Sequence, residues 1–147
     1  MNWRRLYRSC RNTLSAALLM LVFGCGTDDR LAVYPVQGQV FVEKKPAAGA
    51  VVWLIPESDQ PAKNRRVPVG RVDADGRFEI ETYGEKDGAP AGKYRMTVMW
   101  RGPAKTGDED GPNLISPRYM DPAKSGLPIV EIRPGQNTIP PVHLSRN

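Results

Sequence analysis

Apolar and polar residues alternate along much of the chain, in short runs. In 36–42, Val36, Gly38, Val40 and Val42 share one face. In 77–82, Phe78, Ile80 and Thr82 point one way, and Arg77, Glu79 and Glu81 the other. In 93–101, Tyr94, Met96, Val98 and Trp100 alternate with Lys93, Arg95, Thr97 and Arg101. Successive side chains of a strand leave on opposite faces, so each run predicts a half-buried strand. The run 50–55, Ala-Val-Val-Trp-Leu-Ile, is apolar throughout and predicts a strand buried on both faces or one lying beneath a loop. Segments 67–74, 127–133 and 137–144 complete seven candidate strands, and no window carries a helical period. The pattern predicts an all-β fold: a seven-stranded antiparallel β-sandwich with Greek-key-like order.

Punctuation between the runs supports this. Asp75-Gly76 sits between two strand-like runs, where Gly supplies the positive φ of a tight primed hairpin turn. Pro134-Gly135 reads as a second reversal. Pro140-Pro141 cannot donate ladder hydrogen bonds, so the last run is an edge strand or is broken there. Two stretches lack the pattern: 57–66, and 102–126 with its acidic group Asp108, Glu109 and Asp110. Long loops in small domains are commonly functional or mobile.

The N-terminus carries a different signal. Residues 1–12 hold Arg4, Arg5, Arg8 and Arg11 and no acid, 13–23 are almost wholly apolar, and Gly24-Cys25 follows. A basic segment, a short apolar segment and a small residue form a secretory signal, and the apolar run is shorter than the ~20 residues a membrane span needs. Leu21-Val22-Phe23-Gly24-Cys25 resembles the lipobox of bacterial lipoproteins, which implies cleavage before Cys25 and acylation of its sulfur. The expected organisation is a signal peptide at 1–24, a lipid-anchored tether at 25–34 and a β domain at 35–147. Gly26, rather than Asp, follows Cys25, which favours an outer membrane where one exists.

Charge changes its meaning once the signal is set aside. The whole chain has 21 Lys+Arg against 16 Asp+Glu. Removing four Arg and no acid leaves 17 against 16, or +1. A nucleic-acid role thereby loses its main support, which would be a concentrated basic footprint, and Arg65-Arg66 is only a pair. Cys10 leaves with the signal and Cys25 is capped by lipid, so no disulfide, zinc cluster or thiol nucleophile is expected.

Three further segments carry a resemblance. Val36-Gln-Gly-Gln-Val40, Lys45-Pro-Ala-Ala-Gly-Ala-Val51 and Val72-Asp-Ala-Asp-Gly-Arg-Phe78 resemble the carboxypeptidase regulatory-like, or transthyretin-like, β-sandwich domains. Ala89-Pro-Ala-Gly-Lys-Tyr94 continues the pattern, and Tyr119-Met-Asp-Pro122 and Ser125-Gly-Leu127 resemble small bacterial lipoproteins of that group. The resemblance implies a non-catalytic folding, spacing or binding module. The transthyretin-related hydrolases of 5-hydroxyisourate end in Tyr-Arg-Gly-Ser, whereas this chain ends His143-Leu-Ser-Arg-Asn147 and has no other His. No nucleophile, base and orienter can be assembled from these residue types, so no enzyme and no cofactor is expected.

Calcium has weak candidates in Asp108, Glu109, Asp110 and Asp121; Asp73 and Asp75 lack the later ligands of a calcium loop. An internal isopeptide bond among Lys44, Lys45, Asn137 and Glu81 would need a buried, neutral Lys, and a turn keeps Lys44 and Lys45 solvated. Trp53 and Trp100 read as core or inter-sheet packing. Tyr83 and Tyr119, with Arg101 and Arg118, form the candidate patch for a protein or glycan partner. The expected role is a non-enzymatic envelope module that binds or spaces such a partner; a purely structural envelope lipoprotein is the alternative, and a hydrolase the distant third.

Overall fold

The computed structural model describes residues 30–57, 66–103 and 111–146. The expected signal segment, Cys25, most of the 57–66 loop, and Asp108, Glu109 and Asp110 lie outside the described residues. What is described is all-β, with no α-helix. In chain order the strands are β1 (Val33–Tyr34), β2 (Val36–Val42), β3 (Lys45–Pro46), β4 (Val51–Pro56), β5 (Val69–Arg71), β6 (Arg77–Glu79), β7 (Ala89–Pro90) and β8 (Gly92–Met99). A single 3-10 turn (Pro117–Met120) precedes β9 (Ile129–Ile132), β10 (Asn137–Thr138) and β11 (Val142–Leu144).

One antiparallel sheet has the order β5-β4-β8-β9. A two-stranded sheet pairs β1 with β7, and in the remaining, five-stranded sheet β2 is the hub. It pairs antiparallel with β6 through Gly38 and Phe78 and with β3 through Phe41 and Pro46. The expectation of antiparallel pairing throughout is corrected on its other side: β10 and β11 both run parallel to β2, with Asn137 opposite Val36 and Val142 opposite Val40. The reason is directional. Pro134-Gly135 reverses the chain after β9, so the last run travels in the direction of β2. It joins β2 instead of returning along β9.

Alternation is obeyed on the inner faces. Val36, Val40 and Val42 of β2, Val52 and Leu54 of β4, Phe78, Ile80, and Tyr94, Met96 and Val98 of β8 enter one buried cluster. Gly38 fits the same face because it has no side chain: a Cβ there would lie 2.5 Å from the Phe78 ring. The reading of 50–55 as buried on both faces needs correction. Val51, Trp53 and Ile55 are only half-buried on the outer face, with Trp53 between Val69 and Thr97. Trp100 does pack on the core, and its indole N–H donates to the Ala48 carbonyl at 2.9 Å.

The turns show how local chemistry sets the register. Asp75-Gly76 is not a two-residue turn. The Asp73 N–H donates to the Arg77 carbonyl and Gly76, at φ +84°, closes a three-residue loop. The Asp73 carboxylate accepts the Asp75 and Arg77 N–H groups at 2.9 and 2.8 Å, which accounts for its place in the sequence without a metal. Beyond β6, Glu81 exchanges two backbone hydrogen bonds with Val69, so one continuous run stitches the two larger sheets together.

The β2–β3 turn is made by Glu43 and Lys44, both at positive φ, +50° and +68°. Two central residues at positive φ define the tight hairpin that Asn-Gly usually forms. A side chain in the left-handed region costs roughly 1–2 kcal/mol, part of which Gly gives back as lost chain entropy. Lys44→Gly should therefore stabilise the domain by about 0.5–1 kcal/mol, seen as a higher midpoint in urea unfolding with an unchanged slope.

Candidate functional site

Strands β9 and β10 follow one another through a four-residue turn, yet among the described residues no ladder joins them. The turn is held by Asn137, whose side-chain oxygen accepts the Arg133 N–H at 3.0 Å and whose amide donates to the Arg133 and Gly135 carbonyls at 2.9 Å. Beyond it the strands separate. Tyr94 and Val130 face each other on β8 and β9, whereas the Asn137 and Ile139 N–H groups go to the Pro35 and Gln37 carbonyls.

The result is a cleft of about 210 Å³ between residues 128–132 and 137–140. Six of its nine lining residues are apolar: Pro128, Ile129, Val130, Ile132, Ile139 and Pro140. Ile129 is 55% exposed. The backbone pattern on the two rims follows from the registers. Glu57 donates to the Lys93 carbonyl, so odd residues of β8 bond β4 and even ones bond β9. Val130 and Ile132 therefore face β8, and the N–H and C=O groups of Ile129 and Glu131 point outward. Across the cleft, Asn137 and Ile139 are used by β2, and the backbone of Thr138 points outward. A strand edge with outward amides and carbonyls over an apolar floor can accept an extended chain. Nothing in residues 127–140 marked this site in the sequence, because it arises from which strand each half of a hairpin joins.

The aromatic patch expected from the sequence is not brought together. Tyr83 lies where β1 and β7 pair: its hydroxyl accepts the Leu31 N–H at 3.3 Å and its ring carries the Arg30 guanidinium at 5.7 Å. Tyr119 lies beyond the opposite end of β2, where its hydroxyl meets Ser145. It is also not a ligand platform, being only 4% exposed. Arg118 covers its ring at 4.8 Å and donates to its oxygen at 2.9 Å, and the Ser145 N–H donates at 3.3 Å. Burial pushes the phenol up, but the Ser145 and Arg118 bonds together outweigh this and hold it below its ordinary value. Arg101 lies two residues beyond β8, bridged to Asn113, and donates to the Gly111 carbonyl at 3.3 Å. Asp121, the described calcium candidate, has its oxygens on the Ala123 N–H at 2.8 Å and on Lys124 at 3.3 Å. Among the described residues no group of three or more His, Cys, Asp or Glu side chains could hold a metal. His143 is exposed and stacks on Phe41 of the neighbouring strand at 5.5 Å.

Sequence reading missed Asp87, whose carboxylate gathers the Thr82, Tyr83 and Gly84 N–H groups at 2.7, 3.0 and 2.8 Å. The signal was there in retrospect: an Asp before Gly88, which sits at φ +96° with the Tyr34 backbone against its α-carbon.

No protein family matches this chain at the sequence level. No curated protein matches it either. Among solved structures it is similar to a 9R-lipoxygenase from Cyanothece, at 15% identity and a TM-score of 0.41, over 77% of this chain and 16% of that one. It is also similar to a DUF3823 family protein from Parabacteroides merdae, at 13% identity and a TM-score of 0.38, over 80% of this chain and 47% of that one. The chain thus spans less than half of each, and the matches describe a small all-β domain with distant structural likeness.

Tyr119→Phe removes the acceptor of the Arg118 and Ser145 bonds and should lower stability by about 1 kcal/mol in denaturant titration. The Asp121 carboxyl is held below the ordinary aspartate range, first by the Ala123 N–H and then by Lys124. Its contribution is complete above the unfolded-state pKa and is lost as pH falls through the lower folded value. The Ala123 amide resonance should therefore titrate with a midpoint below that of an unfolded peptide of the same sequence.

Proposed function

We propose that this chain is a non-enzymatic, lipid-anchored module of the bacterial cell envelope that binds a protein partner through the β9–β10 cleft. We infer a β-sandwich of the transthyretin-like, carboxypeptidase regulatory-like type for its domain. Support for that fold comes from the single core to which the two larger sheets contribute their inward residues. Further support is that the resembling segments fall on β2, on the β3–β4 stretch and on the Asp73–Arg77 loop. Support for the anchor comes from the ordered signal ending at Gly24-Cys25.

The observation that carries the binding reading is the apolar cleft bounded by outward backbone groups of Ile129, Glu131 and Thr138. It favours a protein over a glycan. Sugar hydroxyls need polar partners when water is removed, and no aromatic ring and few polar side chains line this cleft. An extended peptide supplies both the apolar side chains and the matching amides and carbonyls.

The test is a photo-crosslinking amino acid placed at Ile129, and at exposed Glu85 as a control, in intact cells. The expected result is one discrete protein adduct from position 129 that is absent from 85. The same background at both positions would overturn the binding reading in favour of a purely structural envelope lipoprotein.

A further inference from the structure

We propose that the domain is held on a short leash with its Tyr83 end against the lipid bilayer, so that the β9–β10 cleft closes toward the membrane and opens away from it. This rests on the reading of Cys25 as the lipid anchor, and it follows from where the chain becomes fixed to the domain.

That point is Arg30. The Arg30 guanidinium lies 5.7 Å from the centroid of the Tyr83 ring, and the next residue, Leu31, donates its N–H to the Tyr83 hydroxyl at 3.3 Å. Val33 and Tyr34 then pair with Pro90 and Ala89. Tyr83 does not yield easily, because Asp87 holds its backbone and those of both neighbours. Five steps separate Cys25 from Arg30, and five steps reach at most about 17 Å.

The domain is longer than that. β2 starts beside the clamp, next to Tyr34, and its seven residues run six steps away from it, about 20 Å at the ordinary strand rise. Standing on its far end, the domain would need a tether that climbs this distance, and five residues fall short. The Pro134-Gly135 turn belongs to the near end, since the Asn137 N–H donates to the Pro35 carbonyl at 2.9 Å. The closed apex of the cleft thus faces the lipid, and its mouth, near Pro128 and Pro140, faces outward.

The test uses the lipidated full chain in liposomes that carry nickel-chelating lipid. Once Cys25 is acylated the mature chain has no free Cys, so Glu85→Cys and Lys45→Cys each give one spin-label site, at the near and far ends respectively. Relaxation enhancement by the lipid-borne nickel should be several-fold greater at position 85 than at 45. A twenty-residue Gly/Ser insertion between Gly26 and Thr27 should remove most of that difference. Equal enhancement at both sites with the natural tether, or more at 45, would overturn the proposal. Mass analysis of Cys25 separates the two readings: a chain without acyl groups sinks the anchor and the orientation with it, whereas an acylated chain with equal enhancement sinks the orientation alone.

Discussion

Asn137 and Ile139 donate their backbone N–H groups to the Pro35 and Gln37 carbonyls, and this pairing draws the end of the chain away from β9 onto β2. Much else depends on it. Val142 and Leu144 reach the core only because β11 continues along β2. Ser145 arrives at Tyr119, and Arg146 at the Trp100 ring and Glu43, by the same route. The cleft is the other consequence. Two consecutive strands that could have satisfied each other instead close different sheets, and among the described residues each has one side outside any ladder. Pro140 strengthens the arrangement, because a residue with no N–H cannot donate to a β9–β10 ladder.

Alternation made most of the inner surface legible in the sequence. Val36, Val40, Phe78, Ile80, Tyr94, Met96 and Val98 are all buried where the period of two puts them. What alternation could not give is which strand pairs with which. A run of period two fits either neighbour and either direction, so the parallel approach of β10 and β11 to β2 was hidden. The apolar run at 50–55 misled for a related reason. Its outer residues Val51, Trp53 and Ile55 are only half-buried and stand beside neighbours on the adjacent strands: Met99 next to Val51, Val69 and Thr97 next to Trp53, and Arg95 next to Ile55. Apolar content there reflects neighbours within a sheet as much as burial beneath one.

The site residues were less legible, and Tyr119 shows why. Placed in a loop beside Pro117 and Arg118, it read as an exposed aromatic available to a ligand. In the structure the Pro117–Met120 turn points its ring inward, and the phenol oxygen fastens the C-terminal strand. A Tyr has both an apolar body and a polar tip, so either environment can suit it, and only the tertiary fold decides. Tyr83 kept an accessible position, but its partners are the chain's own Arg30 and Leu31. The cleft, in contrast, draws on backbone groups and aliphatic side chains that look ordinary in a sequence.

The separation of β9 from β10 is the central claim, and amide hydrogen exchange on the purified domain reaches it most directly. Val130, Ile132 and Ile139 should exchange slowly, because their N–H groups are held by β8 or β2. Ile129, Glu131 and Thr138, pointing into the cleft, should exchange orders of magnitude faster. Slow exchange at these three positions, with cross-strand contacts between Glu131 and Thr138, would show a closed hairpin and contradict the account.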